Sequence, residues 1–468
     1  MAPSSQLDPG AHLWRSTTAL CDEAARLLVP RAHGEVAALR ATLTEPLRVA
    51  VVGRVSTGKS TLVNALVGRR VAPTAAGECT LVPIWYRFGS PDRALLVLRD
   101  GSANPLPFDG HLPEELGIDP AKVERIEVTL QSGPLRRLTL VDTPGLGSPG
   151  RSVDDVAREA GQAGAVLFLF RDVEKRDDIE FVRGYRESTG GLEPSTAGAV
   201  GVLSHADVFG GGPWAAEDPV DAARRLAERA AADHAALLSA VVPVSGLLAE
   251  AVRTGRVTED DSRALAGLAD ADPARLQVAA VLGTWSDGPD GGGEGVDPVL
   301  KHSGPYVLAR GREPARGGAR QLQGWMIERS GIGALEQLVH GRLAGRARPL
   351  TADRLLRRLR ALSRTSAVSA GAGERLRNRV EAVELSPEAH RVVELRALAS
   401  LAGRRGPDAR TLAAELARVV DEPPEQLRPR AQELRARAQR TISTARDPVV
   451  RDAARVLTRA YQLLGKVS

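Results

Sequence analysis

A complete phosphate-binding loop near the start of the chain constrains its fold more than any other feature. Residues 53–61 read Gly-Arg-Val-Ser-Thr-Gly-Lys-Ser-Thr, with the spacing G-x-x-x-x-G-K-[ST], and the apolar run 47–52 precedes them. Two glycines let successive backbone N–H groups and the N-terminus of the following helix wrap around a phosphate chain. The sequence therefore predicts a strand, a phosphate cradle and a helix over 60–67.

The side chains that close this loop suit the terminal phosphates of a nucleoside triphosphate and its magnesium ion. Lys59 supplies a positive charge to the phosphates, the hydroxyl of Ser60 can ligate the metal, and Thr61 offers a second hydroxyl. The other loop residues that we expect to contact the nucleotide are Gly53, Val55, Ser56, Thr57 and Gly58. Nucleotide binding is therefore the primary prediction.

A second acidic residue is needed to hold the metal, and the sequence 138–145 provides one. Asp142 ends an apolar run and is followed by Thr-Pro-Gly. In a phosphate-loop enzyme such an aspartate holds magnesium through water, while the backbone N–H of Gly145 contacts the γ-phosphate. Taken alone, Asp-Thr-Pro-Gly is also an ordinary turn. Together with the upstream loop it predicts the second half of a magnesium site.

The usual guanine-reading motif, [NT]-K-x-D at the end of a strand, is only partly present. The apolar run 199–203 is followed by Ser204, His205, Ala206 and Asp207. Asp207 can accept two hydrogen bonds from a guanine, but His205 stands in place of the lysine and lacks a permanent charge near neutrality. A later strand-end loop with Ser245 and Gly246 has the form that contacts the guanine oxygen. Asp207 favours guanine, and the sequence leaves the choice against adenine open.

The segment between the loop and Asp142 is the expected γ-phosphate switch. Its small residues, 71–80, can order around a γ-phosphate and relax after hydrolysis. We predict that the hydroxyl of Thr80 closes the magnesium shell, with Thr74 as the alternative. The switch thus contributes a third metal ligand beside Ser60 and Asp142.

Two positions that often carry hydrolysis chemistry are apolar in this chain, Val55 and Leu146. Neither side chain can position a nucleophilic water. Hydrolysis must therefore use the backbone, the switch segment or a second molecule. Arg54 and Arg151 are the nearest candidates for a compensating charge, in cis or across a head-to-head dimer. The residues assigned to catalysis are Lys59, Ser56, Thr80 and Arg54.

These residues carry a resemblance to a known family. Residues 53–68, Pro73-Thr74, Thr80 and the aromatic-rich run 85–88 resemble the bacterial dynamin-like GTPases, in particular the isoniazid-inducible actinobacterial (mycobacterial) subgroup. Further matching segments are 242–249, 328–335 and 394–401. The resemblance covers nearly the whole chain and is weakest between about residues 253 and 320.

The resemblance implies an activity and partners. Members of this family hydrolyse GTP to GDP on a dynamin-type head, dimerise through the nucleotide face and couple that cycle to membrane remodelling. By resemblance, the phosphate, magnesium, switch, metal and base roles fall to Lys59, Ser60, Thr80, Asp142 and Asp207. GTP or GDP and Mg²⁺ are the expected cofactors. A homodimer through the heads, a larger dynamin-like hetero-partner and peripheral contact with an anionic membrane are the expected associations.

Composition agrees with this interpretation. A content of 43% apolar and 26% charged residues is that of a globular protein, and 468 residues suffice for two or three domains. Only Cys21 and Cys79 occur, which indicates a reducing cytosol. No apolar run is long enough to cross a bilayer, and residues 1–10 lack the features of a signal peptide. We therefore expect a cytoplasmic protein, at most peripheral at the inner face of the plasma membrane.

The pattern of elements predicts an α/β fold. Strands and helices alternate over 46–250, which is typical of a doubly wound, mostly parallel sheet of the P-loop GTPase type, with an edge hairpin within 94–130. An amphipathic helix over 12–44 precedes it, and helical patterns broken by prolines follow residue 331. We predict an N-terminal helix (1–45), a dynamin-type GTPase domain (46–330) with a flexible Gly/Pro-rich loop at about 286–318, and a C-terminal bundle or stalk (331–468). Both chain ends would build this bundle.

Alternatives from other functional classes remain open. The arginine-rich stretch 354–362 could lie on acidic lipid, although such charges are more often a solvated helix surface. An RNA- or ribosome-associated GTPase would need an RNA-binding module, and none is recognisable, so nucleic acid is not expected as a partner. A nucleotide-gated scaffold that binds but barely hydrolyses is favoured by Val55, Leu146 and His205.

Overall fold

A nine-stranded sheet forms the centre of the nucleotide-binding head. The computed structural model describes residues 9–73, 78–145, 163–171, 180, 182, 199–235, 237–282, 296–365, 368, 370–401, 404 and 406–465. Within these ranges the strands are β1 (Leu47–Gly53), β2 (Ile84–Phe88), β3 (Arg93–Leu98), β4 (Ala103–Leu106), β5 (Val123–Leu130), β6 (Leu138–Asp142), β7 (Ala165–Phe170), β8 (Ala199–Ser204) and β9 (Ala240–Val244). Their order across the sheet is β4-β3-β5-β2-β6-β1-β7-β8-β9.

Strand direction places the functional residues at one edge. Strand β1 runs parallel to β6 and β7, and β8 runs parallel to β7 and β9. The carboxyl ends of these five strands therefore meet at the same edge. The hairpin β3–β4 lies at the far side, and β2 is antiparallel to β6. These pairings confirm the predicted mostly parallel α/β sheet with an edge hairpin.

Helices cover both faces of the sheet because its strands are apolar on both sides. The helices of the head are α3 (Lys59–Val67), α4 (Pro219–Asp233), α5 (Gly246–Arg253), α6 (Glu259–Gly267), α7 (Pro273–Leu282), α8 (Val296–Ser303), α9 (Pro305–Arg310), α10 (Arg312–Ala315), α11 (Ala319–Ser330) and α12 (Ile332–Gln337). Leu62 of α3 packs into the core on one face, and Ala223 and Ala227 of α4 pack into the core on the other.

The predicted flexible loop at about 286–318 is wrong from Val296 onward. Residues 296–315 form α8, α9 and α10, and residues 283–295 lie outside the described part of the chain. Val299, Tyr306 and Leu308 are buried and pack against Leu248 and other apolar residues of neighbouring helices. The glycines and prolines of this stretch begin helices, as Pro305 does at the first turn of α9, rather than interrupting them.

The core of the head continues past residue 330. Ile332 and Leu335 of α12 belong to the same apolar cluster as β1, and so do Val339 and Leu343 of a π-helical segment, Leu338–Leu343. This segment runs directly into α13 (Ala344–Leu362). The domain boundaries themselves stay a prediction.

The N-terminal stretch predicted as one helix over 12–44 forms two helices. These are α1 (Pro9–Leu27) and α2 (Pro30–Thr44), and the break lies where Val29 adopts an extended conformation before Pro30. Proline lacks the N–H that a helix interior needs and disfavours helical backbone in the preceding residue. Leu20 and Leu28 pack with Leu355 and Leu359 of α13 and with α14 (Ala370–Glu384). Both ends of the chain therefore build the bundle.

Three of the five C-terminal helices begin at a proline. The five are α15 (His390–Leu401), α16 (Pro407–Asp421), α17 (Pro424–Leu427), α18 (Ala431–Thr444) and α19 (Pro448–Leu464). Their shared core includes Leu416, Leu457 and Tyr461. The combination of a P-loop-type sheet and a bundle drawn from both chain ends confirms the predicted fold class. In the described ranges, no helix has the length and apolarity to cross a membrane.

The arginine-rich stretch 354–362 lies within α13 and faces the bundle. Its leucines, among them Leu355 and Leu359, are buried against α1 and α14. Arg358 and Arg360 pair with Glu35 and Glu384 of the neighbouring helices. The apolar face of this stretch is already covered, so the structure does not support the alternative that it lies on lipid.

Candidate functional site

The phosphate-binding loop joins β1 to α3 with two residues in left-handed backbone conformations. Ser56 has φ 63° and Gly58 has φ 87°, and the hydroxyl of Thr57 donates to the carbonyl of Arg54 at 2.8 Å. Left-handed residues turn successive amides toward the inside of a loop, which is the geometry of an anion-binding nest. The sequence-predicted cradle is therefore present, with its concave side at the N-terminus of α3.

The ammonium of Lys59 lies inside this loop. Its Nζ donates to the carbonyls of Gly53 at 3.1 Å and Arg54 at 2.9 Å, and the side chain is buried. Burial lowers the pKa of Lys59, while the neighbouring Asp142 raises it in part. The loop thus holds a cation at its centre with loop carbonyls as the partners.

Ser60 and Asp142 meet across the carboxyl ends of β1 and β6. The hydroxyl of Ser60 donates to Oδ2 of Asp142 at 3.2 Å. Oδ1 of Asp142 is buried and accepts no hydrogen bond from the described residues. Burial raises the pKa of Asp142 to about 6, against the opposing effects of Lys59 and Ser60. An orphaned carboxylate oxygen beside a serine hydroxyl is a donor set that fits hydrated Mg²⁺, which prefers oxygen ligands and keeps several waters.

Gly145 lies directly against the phosphate loop. A Cβ placed there would be 2.8 Å from Cγ2 of Val55 and 3.2 Å from Nζ of Lys59, so only glycine fits without displacing them. The turn after β6 therefore reaches the same point as the loop after β1. The γ-phosphate role of Gly145 stays a prediction, with its position beside the lysine in its favour.

The switch threonine lies in a short 3-10 turn, Glu78–Leu81, where Thr80 is half-buried. Its neighbour Cys79 is buried, its thiol donates to the carbonyl of Pro113 at 2.9 Å, and burial together with Glu78 raises its pKa to about 11. Cys79 is thus a packed thiol. The metal role of Thr80 stays a prediction, and its alternative Thr74 lies outside the described residues.

The residues considered for hydrolysis are divided between the loop surface and the part of the chain that is not described. Val55 is 58% exposed, and the side chain of Arg54 is exposed next to it. Leu146 and Arg151 lie outside the described residues. The catalytic assignments of Arg54 and Ser56 therefore remain predictions.

A cavity of about 260 Å³ opens beside the loop, on the side of β8 and β9. Its lining includes the predicted base-site residues Ser204, His205, Asp207 and Gly246, together with Thr57, Gly58, Thr61, Leu247 and Pro305. Ser245 has a different position: it is fully buried and caps α5, with its hydroxyl accepting from Leu248 N at 3.4 Å. The structure thus brings the base motif, the loop and the start of α5 around one cavity.

His205 lies over the phosphate loop and has a cationic neighbour. Its φ is 58°, and a Cβ placed on Gly58 would lie 3.5 Å from Cε1 of its ring. Nε of Arg171 donates to Nδ1 of His205 at 3.4 Å. Burial and the charge of Arg171 lower the pKa of His205, which keeps the ring neutral near neutral pH. Sequence reasoning missed Arg171, whose only signal is a basic residue directly after an apolar run.

Buried hydrogen bonds connect α3 to the start of the predicted switch segment and to α5 beside the predicted base site. Oδ1 of Asn64 in α3 accepts from the backbone N–H groups of Val71 at 2.9 Å and Ala72 at 2.8 Å. Its Nδ2 donates to Oε1 of Glu250 in α5 at 2.8 Å, and both side chains are buried. Asn64 was not predicted as a site residue. Its place in α3, facing the start of the switch segment, becomes evident only in three dimensions.

Residues 49–176 match the model of the Dynamin family. The isoniazid-induced protein IniC of Mycobacterium tuberculosis is 36% identical over 234 residues, which cover 47% of this chain and 46% of that protein. A bacterial dynamin-like protein of Nostoc punctiforme is 27% identical over 140 residues, covering 26% of this chain and 20% of the relative. The matched part thus spans less than half the length of these curated relatives.

Structural comparison gives a distant likeness. A solved structure described as an oligomerised bacterial dynamin pair covers 99% of this chain and 86% of its own, at 13% identity and a TM-score of 0.37. The family model and the sequence relatives confirm the predicted resemblance to bacterial dynamin-like proteins. The region that matches the Dynamin family model contains the phosphate loop and Asp142.

Proposed function

We propose that this bacterial dynamin-like protein binds GTP with Mg²⁺ and hydrolyses it to GDP and phosphate. The observation that carries the proposal is the contact of Ser60 with Asp142 at 3.2 Å, next to the loop that encloses Lys59. A hydroxyl, a carboxylate and an ammonium at the mouth of an amide-lined loop are the parts that bind a magnesium triphosphate. Magnesium, when bound there, would neutralise charge on the β- and γ-phosphate oxygens.

Each of these residues would then have a definite task. Lys59 would exchange the carbonyls of Gly53 and Arg54 for oxygens of the terminal phosphates. Ser60, the orphaned oxygen of Asp142 and the hydroxyl of Thr80 would hold the hydrated metal. These steps use groups that already lie beside one another, apart from Thr80, whose approach is part of the proposal.

Hydrolysis needs a group other than Val55, because that apolar side chain cannot orient a water molecule. We propose that two heads meet through their nucleotide faces and that the exposed Arg54, with Ser56 and the switch backbone, stabilises the developing charge. An arginine added in this way typically accelerates hydrolysis by roughly 10³–10⁵ in phosphate-loop enzymes. The exposure of Arg54 and Val55 on the outer side of the loop supports this arrangement.

Coupling to membranes is the wider part of the proposal. The family resemblance implies membrane remodelling or maintenance at the inner face of the plasma membrane. The apolar face of α13 is covered by neighbouring helices, so a partner protein is better placed than this helix to contact lipid. We propose a larger dynamin-like protein as that partner and peripheral association of the complex with anionic lipid.

A steady-state turnover assay tests the enzymatic proposal. GTP turnover per mole of protein should rise with protein concentration, because the active form is a dimer, and Lys59→Ala should abolish it. Lys122→Ala, which removes an exposed lysine of the same head, should have no effect. Turnover that Lys59→Ala leaves unchanged would contradict the proposal.

A nucleotide-gated scaffold is the second candidate, favoured by the apolar, 58% exposed Val55 at a position that often carries hydrolysis chemistry. Tight GTP binding without turnover at any protein concentration would select the scaffold over the enzyme.

A further inference from the structure

The base side of the site lacks one charge that its motif normally provides. In the motif [NT]-K-x-D, the lysine gives both a long apolar stem over the base and a positive charge. His205, at that position, gives only a flat ring, which burial and Arg171 keep neutral near pH 7. Asp207 is buried and lines the same cavity. A negative carboxylate would therefore face the base without the cation that usually accompanies it.

Arg171 places a cation at this point from the neighbouring strand. It follows β7 directly, and the parallel register of β7 with β8 sets Phe170 beside Leu203. The residues that follow the two strands, Arg171 and His205, therefore emerge side by side at the carboxyl edge. The hydroxyl of Ser204 donates to the carbonyl of Phe170 at 3.1 Å and ties the two strand ends together.

The contact places the guanidinium at the edge of the histidine ring. Nε of Arg171 lies 3.4 Å from Nδ1 of His205, and Oγ of Ser204 lies 3.1 Å from the same nitrogen. The positive charge of Arg171 is therefore directly beside the imidazole. The ring itself lies above Gly58 and lines the cavity beside Asp207. A purine held by Asp207 would have the ring as a neighbour and the guanidinium behind it.

We propose that Arg171 and His205 together replace the motif lysine, with the His205 ring covering the purine and the Arg171 guanidinium supplying the positive charge. This inference rests on the proposed function, since it requires a guanine nucleotide in the cavity. Arg171 is then a specificity-determining residue that acts through His205. It increases the affinity for guanine nucleotides, because a cation close to an electron-rich purine and to Asp207 is favourable.

Calorimetric titration with Mg²⁺ and GDP tests this role. Arg171→Ala should weaken GDP binding roughly 5- to 10-fold, and Arg171→Lys should restore most of it because the charge is kept. His205→Lys should bind GDP at least as tightly as the wild type. In that background Arg171→Ala should have little effect, since the lysine provides the charge. Arg93→Ala, an exposed arginine at the start of β3, is the matched control and should bind GDP like the wild type.

The outcomes separate this inference from the proposed function. Equal GDP affinity of Arg171→Ala and the wild type would overturn the inference and leave the proposed function standing. The inference would also be overturned if Arg171→Ala weakened GDP binding by the same factor in the wild type and in the His205→Lys background. Arg171 would then act independently of residue 205. Both the inference and the proposed function would be overturned if the wild type bound no GDP, or if Lys59→Ala bound GDP as tightly as the wild type. Unchanged thermal unfolding of Arg171→Ala excludes misfolding as the cause of a loss.

Discussion

Buried ionisable side chains occur in both the head and the bundle, and each has a different kind of partner. Lys59 is held by two loop carbonyls and lies near Asp142, so ligand phosphates can replace the carbonyls. Glu394 of α15 is held by Arg391, whose Nη1 donates to Oε2 at 3.1 Å, and lies 3.9 Å from His390. The first arrangement is poised for a ligand. The second is closed by protein groups and affects stability.

Glu394 makes the stability of the bundle depend on pH. Burial raises its pKa from 4.5 to about 7, against the opposing effect of Arg391. The folded state therefore keeps a proton that the unfolded state has lost, and this contribution to stability decreases as pH rises from about 4.5 to 7. Relative to Glu394→Gln, the wild type should lose about 2 kcal/mol of unfolding free energy between pH 5 and pH 8. Urea unfolding followed by circular dichroism measures the difference.

Comparison of the two proteins removes the effect of His390, which is present in both and whose own pKa is lowered by burial. Glu381→Gln, an exposed glutamate of α14, is the control and should leave the pH profile of the wild type unchanged. Parallel pH profiles of the wild type and Glu394→Gln would show that Glu394 is ionised at neutral pH in the folded protein.

Among single residues, the sequence was most informative where chemistry requires one residue type. Lys59 and Ser60 were predicted from the spacing of the phosphate loop, and Asp142 from its place at the end of an apolar run. The structure brings Ser60 within hydrogen-bond distance of Asp142. Arg171 was not predictable because its partner His205 lies 34 residues away, and the two meet only through the parallel register of β7 and β8.

At the level of elements, α3 is the part that links the phosphate site to its surroundings. Its N-terminus forms the end of the loop, and Asn64 in its middle binds both the start of the switch segment and Glu250 of α5. Arg70 lies 3.4 Å from the same glutamate. Buried hydrogen bonds through Asn64 therefore connect α5, on the base side, to residues 71 and 72.

Removal of the Asn64 hydrogen bonds should destabilise the head and reduce the protection of the predicted switch segment against hydrogen exchange. Asn64→Ala leaves the N–H group of Ala72 without its acceptor and that of Val71 with only the carbonyl of Arg69, at 3.1 Å. Together with the lost hydrogen bond to Glu250, this should cost roughly 3 kcal/mol of unfolding free energy. Hydrogen exchange should show faster exchange of those two amides. Asn104→Ala, at an exposed position of β4, should change stability by less than about 0.5 kcal/mol. Unchanged protection of both amides in Asn64→Ala would mean that Asn64 does not hold the switch.

Elements were predicted well where a proline or glycine has one physical consequence. Helices α16, α17 and α19 begin at Pro407, Pro424 and Pro448, as the sequence indicates. Prolines and glycines gave wrong predictions of helices and loops where two physical consequences compete. Pro30 divides the N-terminal helix in two, and the Gly- and Pro-containing stretch after Val296 forms helices because its apolar residues are buried between neighbours. Tertiary packing decided those cases.

For the molecule as a whole, the bundle and the head are continuous. The π-helical segment Leu338–Leu343 contributes Val339 to the core of the head, and α13 follows it without a break. Arg346 near the start of α13 is buried and forms two hydrogen bonds of 2.9 Å with Asp421 of α16. Movement of the head against the bundle would therefore act on the segment Leu338–Leu343, where the two parts join.

The proposed function depends on a magnesium nucleotide bound between Lys59 and Asp142. Isothermal titration of the full chain with Mg²⁺ and a non-hydrolysable GTP analogue tests it most directly. We predict binding of about one nucleotide per chain, a loss of affinity on the order of 100-fold in Lys59→Ala, and no change in the control Lys122→Ala. No binding by the wild type at saturating ligand, or equal binding by Lys59→Ala, would contradict the proposed function.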